Sequence, residues 1–191
     1  MAGSLGRVQI YTGKGDDGTT GLLYGGRVRK DADPIEVNGA VDEAQAALGM
    51  ARAHGAGDTE LDGQLVDLER DLYVLMAEVA TLPENRDKLS SGVTLVSEEM
   101  VQGLEGHIDR LTETFAMPTE FVVPGQNLVA ASLDVARTTV RRAERLAVTA
   151  GFEGSWVIPY LNRLSDLVWT MARWQEGEHF ELAKARREEN R

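Results

Sequence analysis

The stretch from Tyr11 to Gly26, YTGKGDDGTTGLLYGG, sets Lys14, two adjacent aspartates and three threonines among six glycines. Glycine accepts positive φ and lets successive backbone N–H groups point into a concavity that binds anions. Lysine and threonine hydroxyls are natural phosphate contacts, so the stretch predicts a phosphate cradle. Its residue order is not that of a Walker A loop, because Lys14 comes early and is followed by Gly15. Nor is it a dinucleotide fingerprint, since no alternation of strands and helices follows. A glycine-rich disordered leader is the competing reading.

The second chemical signal is LDVARTTVRRAERLAV, residues 133–148. At ~100° per residue, Arg137, Arg141, Glu144 and Arg145 share one helical arc of roughly 100°. Val129, Leu133, Ala136, Val140, Ala143 and Ala147 form an apolar stripe beside it, and Arg142 points away from both. Four arginines and no lysine fall within nine residues of an acidic chain. Arginine is suited to bidentate phosphate or carboxylate contacts, and Glu144 could hold one guanidinium in place. A solvated basic face is the alternative.

A third signal lies in PYLNRLSDLVWTMARW, residues 159–174. Leu161, Leu164, Leu167, Val168 and Met171 supply an apolar side. Asn162, Asp166, Trp169 and Arg173 share another face. Asparagine and aspartate inside a helix call for a partner or a ligand. Near the start of the chain, NGAVDEAQAALG places Asp42 and Glu43 among small apolar residues. Asp42 could pair with an arginine of the basic arc or simply face solvent.

Helices must position these groups. Five are predicted: about 35–54; from an N-cap at Asp58, with Leu61, Leu65, Leu68, Leu72, Leu75 and Val79 as a seam; from Ser97, with Val101, Leu104, Ile108, Leu111 and Phe115; about 127–150, ending before Gly151; and from Pro159 as N1 to about Glu176. Residues 82–96 and 117–127 read as irregular. Strand signals are weak: RVQIYT (7–12) is a candidate, and FVV (121–123) is too short to anchor a sheet. The prediction is all-α, an antiparallel five-helix bundle with an irregular glycine-rich N-terminal segment. One domain covers 1–191: a phosphate-binding segment 1–34, the bundle 35–176 and a charged tail 177–191 that frays or extends the last helix.

The 191 residues suit a single domain, and a hydrophobic fraction of 42% suffices for its core. A net charge of −11 argues against nucleic acid or an anionic membrane surface as a partner, though not against a local basic site. There is no cysteine, hence no disulfide or thiolate chemistry, and the spacing of His54, His107 and His179 suggests no zinc site or other metal cluster. No apolar run approaches membrane-spanning length and no signal-peptide core is evident, so a cytoplasmic protein is expected.

Taken together, YTGKGDDGTT, VDE in the first helix, RTTVRRAER in the fourth and LNRLSD in the fifth resemble the PduO-type ATP:cob(I)alamin adenosyltransferases, in order and spacing, over about residues 8–176. The resemblance implies a homotrimer with active sites at subunit interfaces. It implies that Thr12, Gly13, Lys14, Gly15 and Thr20 contact ATP, with Lys30 near the phosphates. Arg141, Glu144 and Arg145 would complete the nucleotide site from the neighbouring subunit, with Arg142 nearby and Asn162 as a further nucleotide contact. Asp42 would form an intersubunit salt bridge with Arg137 and Arg141, and Phe121 would close the lower face of the corrin. Many relatives carry paired glycines where this chain has Gly125-Gln126, and a histidine where it has Asp134, both near the expected corrin side.

In such enzymes reduced cobalt attacks the 5′-carbon of ATP and triphosphate leaves, so no protein nucleophile is needed. The resemblance implies ATP, Mg²⁺ bridging phosphate oxygens, and cobalamin as a substrate. It also implies a reductase and an adenosylcobalamin-dependent acceptor enzyme as partners. Three other readings remain open: a non-catalytic cobalamin carrier on the same scaffold, a structural helical oligomer, and a phosphoryl-transfer enzyme.

Overall fold

A computed structural model describes residues 10–152 and 154–184. Its five α-helices are α1 (Asp33–His54), α2 (Thr59–Val79), α3 (Glu98–Thr112), α4 (Leu128–Ala150) and α5 (Val157–Glu176), with a 3₁₀ helix at Pro83–Lys88. α1 packs on α4 and α2, α4 on α5, and α5 on α3. The bundle predicted from periodicity is present. Every leucine of the α2 seam is buried. α1 and α4 bury largely alanine and valine, side chains small enough for the two helices to approach closely.

The helix ends are set by local chemistry. Asp58 accepts the N–H groups of Glu60 and Leu61, Ser97 accepts from Met100, and Asn127 accepts from Ala130. Asn127 also donates to the Gln175 carbonyl at 3.0 Å, tying the start of α4 to the end of α5. Gly151 closes α4 in the left-handed region at φ 79°, where a side chain would be strained. A buried carboxylate, Glu78, fastens the loops at one end of the bundle. It accepts from Arg86, from the Val96 N–H at 2.8 Å and from the Ser155 hydroxyl at 2.6 Å.

Several boundaries differ from expectation. α1 starts at Asp33, because Pro34 fits the first turn. α5 starts at Val157, which places Pro159 third in the helix, where its missing N–H still costs no helical bond. Residues 7–9 lie outside the described residues, and 10–12 form no strand. Instead β1 (Thr19–Gly21) pairs antiparallel with β2 (Arg27–Arg29), the hairpin turning at Tyr24-Gly25-Gly26, all at positive φ. The hairpin is anchored by the Leu23 N–H, which donates to the Ala80 carbonyl just past α2 at 2.9 Å. The tail does not extend α5. Gly177 ends that helix, and β4 (Glu181–Leu182) pairs with β3 (Val122–Val123). Residues 185–191 of the tail lie outside the described residues. No described helix is long and apolar enough to cross a membrane.

Candidate active site

The glycine-rich segment folds into consecutive tight turns. Asp16 N–H donates to the Gly13 carbonyl and Gly18 N–H to the Gly15 carbonyl, with Gly13 and Gly18 at positive φ. Thr12, Gly13 and Lys14 are exposed, and Gly15 and Thr20 are half-buried. Lys30 comes back across the loop. A Cβ built on Gly15 would stand 3.1 Å from Lys30 Nζ and 3.3 Å from the Thr19 carbonyl, so a side chain there would press on the end of Lys30 by a few tenths of an ångström. Two cations, Lys14 and Lys30, thus border one small loop.

Asp17 accepts from the Thr19 hydroxyl at 2.7 Å and the Thr19 N–H at 2.9 Å. These bonds, with Arg27 nearby, hold its carboxyl below the usual carboxylate range. Arg27 was not singled out by sequence. Its partners become visible only when Gly25-Gly26 is read as a hairpin turn that folds residue 27 back onto residue 19.

Thr20 lines a cavity of about 580 Å³ with Leu23, Ile35, Asp42, Tyr73 and Met76, between the hairpin, α1 and α2. Asp42 is exposed and, among the described residues, forms no ion pair within the chain. Its neighbour Glu43 does, with Arg142 of α4. Arg142, off both the arc and the apolar stripe, therefore reaches α1.

The arginine arc lies elsewhere. Arg137 and Arg141 line a cleft of about 280 Å³ between α4 and α5, with Ser165, Asp166, Trp169 and Thr170. Arg141 and Arg145 are exposed and form no ion pair among the described residues. Arg137 lies 3.8 Å from Asp134, and Asp134 binds the buried Arg173. Glu144 pairs with no guanidinium among the described residues. It accepts from Asn162 Nδ2 at 2.9 Å, so the two predicted nucleotide contacts on α4 and α5 orient one another. Arg163, also missed by sequence, donates to Asn162 and to Glu105 of α3.

Phe121 stands at the start of the β3 segment and is 86% exposed, so it is not a core plug. The exposed Val123 and Leu128 are close in sequence.

Over residues 10–175 the chain matches the family profile described as cobalamin adenosyltransferase. The chain belongs to the cobalamin adenosyltransferases. This adenosyltransferase is 39% identical over 171 residues to the corrinoid adenosyltransferase of Citrobacter freundii, covering 88% of this chain and 95% of the relative. It is 34% identical over 172 residues to that of Bacillus subtilis, covering 87% of this chain and 86% of the relative. Among solved structures, it resembles a variant of the PduO-type ATP:corrinoid adenosyltransferase from Lactobacillus reuteri complexed with cobalamin and ATP. The TM-score is 0.80 at 26% identity, over 93% of this chain and 97% of the other. The activity of the adenosyltransferase is transfer of the adenosyl group of ATP to a corrinoid, forming adenosylcobalamin.

Proposed function

We propose that the glycine-rich loop of one subunit and the arginine arc of a neighbour form a shared site, in a homotrimer, where cob(I)alamin displaces triphosphate from ATP. The cobalt(I) electron pair forms the Co–C bond to the 5′-carbon. The C5′–O bond breaks and its electrons leave on triphosphate. Thr12, Gly13, Lys14, Gly15 and Thr20 cradle the phosphates, with Lys30 beside them. Arg141, Arg145 and the Glu144–Asn162 pair complete the site from the other subunit. Arg142, committed to Glu43, frames the site rather than contacting the phosphates. Asp42 meets Arg137 and Arg141 across the interface. The chain's task is to hold the 5′-carbon in line and to stabilise charge on the departing triphosphate.

The observation that carries this reading is the separation of the two halves within one chain. Thr20 and Asp42 line one cavity and Arg137 and Arg141 another, and the arc retains exposed cations that no acid among the described residues neutralises. Among the described residues no group of three or more His, Cys, Asp or Glu side chains is placed to hold a metal. Mg²⁺ enters with the nucleotide as part of the substrate. Phe121, exposed on an irregular segment, serves as the wedge that excludes the lower axial ligand of cobalamin and so eases reduction to cobalt(I).

Subunit complementation tests the shared site. Lys14→Ala and Arg141→Ala chains, each impaired alone at limiting ATP, are unfolded and refolded together. Random mixing gives about one site in four with both halves intact, and activity returns. No gain of activity in the mixture, with both variants folded and assembled, would place both halves in one chain and refute the reading.

A further inference from the structure

We propose that Arg27 is a positioning residue that locks the phosphate loop into its binding shape before ATP arrives. The inference rests on the reading that this loop holds the triphosphate. Arg27 Nη2 donates to the Lys14 carbonyl at 2.6 Å and to Thr19 Oγ1 at 2.6 Å, with a longer contact to the Thr19 carbonyl at 3.2 Å. Its Nε donates to Thr19 Oγ1 at 2.9 Å. One planar guanidinium thereby joins both ends of the 14–19 turn.

The chemistry separates Arg27 from the cations around it. Its charge is already faced by Asp17 at 3.7 Å, whereas Lys14 has no ion-pair partner among the described residues. The Thr19 hydroxyl donates to Asp17 and accepts twice from Arg27, which fills its capacity and leaves the threonine contacts of the cradle to Thr12 and Thr20. Pinning the Lys14 carbonyl fixes the backbone from which the Lys14 side chain projects. A loop with glycines at 13, 15 and 18 has more conformational freedom to lose than one without them, and an unlatched loop would lose it on binding ATP. The latch makes that loss part of folding. Lysine replaces it poorly, because an ammonium could supply the Nη2 contacts to the Lys14 carbonyl and the Thr19 hydroxyl but has no second nitrogen to make the Nε bond that fixes the plane of the group against Thr19.

The test compares wild type with Arg27→Ala and Arg27→Lys by three measurements. These are hydrogen exchange of residues 13–30 in the free protein, Mg-ATP affinity by calorimetry, and steady-state kinetics with pre-reduced cobalamin. Both variants should exchange faster across the loop without ATP, with the helices unchanged. ATP affinity should fall about tenfold, the effect of losing a charged hydrogen bond. The kinetic loss should fall on KM for ATP more than on kcat. Wild-type affinity in Arg27→Lys would mean that only charge matters and would overturn the latch. Unaltered loop exchange in both variants would overturn it too. Lys14→Ala is the control for the underlying reading: undiminished ATP affinity there removes the cradle, while the exchange data still judge the latch.

Discussion

Asp134 Oδ2 accepts a 2.6 Å hydrogen bond from Arg173 Nη2, and both side chains are buried although 39 positions separate them in sequence. Arg173 also donates to Glu176 Oε1 at 3.2 Å. Its Nε lies 2.8 Å from Glu176 Oε2 as an ion pair without hydrogen-bond alignment. With Arg137 beside Asp134, two acids and two guanidinium groups form a charge-balanced cluster next to the α4–α5 cleft. Asp134→Ala leaves two arginines facing one remaining acid. It should cost about 3 kcal/mol of stability, measured by denaturant unfolding, because a buried charge then lacks its partner. Asp134→Asn keeps an acceptor and should cost less. Equal stability in all three proteins would mean that the cluster contributes nothing.

Lys14→Ala should weaken ATP binding by about 1.5–3 kcal/mol, the worth of a charge-assisted contact, and leave cobalamin binding almost unchanged. Calorimetry with each ligand separately reads both numbers. Parallel losses for the two ligands would point to a collapsed loop instead of a lost phosphate contact.

Arg141→Ala should fold normally and turn over poorly. The side chain is exposed and outside the apolar stripe, so its removal opens no cavity. Circular dichroism checks the fold and single-turnover kinetics the chemistry. Wild-type turnover would remove Arg141 from the site.

Phe121→Ala should leave the melting temperature near that of wild type. A core phenylalanine would cost about 3–5 kcal/mol on truncation, but this ring is 86% exposed. The loss should be larger with a reductase-coupled supply of cobalt(I) than with chemically reduced cobalamin. Electron paramagnetic resonance should show less lower-ligand-free cobalt(II) in the presence of ATP. A normal signal would end the wedge assignment.

Asp71 supplies a pH dependence with a definite sign. Burial holds its carboxyl above the ordinary value, opposed by the Tyr160 hydroxyl, which donates to it at 3.0 Å. Between the unfolded and folded pKa values the folded chain binds more protons, so stability falls as pH rises through that window. Asp71→Asn keeps an acceptor for Tyr160 and removes the charge. Its melting temperature should lose less than that of wild type on going from acid to neutral pH. Identical pH profiles would show that the carboxyl titrates normally.

The helices were legible because their information is local. The leucine seam of α2, the cap at Asp58, the helix start after Ser97 and the stop at Gly151 act within a few residues, at the 3.6-residue period or over one turn. The glycine-rich loop and the arginine arc were legible as well, since residue type and spacing alone mark them. What each arginine does was not. Arg141 and Arg145 remain exposed, Arg142 is taken by Glu43 of α1, Arg137 leans on Asp134, and Arg173 is buried. Glu144 turned out to hold Asn162, 18 positions away, and Arg27 to hold Lys14 across a hairpin. Composition and periodicity placed the basic residues on the right elements. Which cations are neutralised and which stay open depends on the carboxylates that packing brings within about 4 Å, the range over which an ion pair acts, and that distance exists only once distant segments have met.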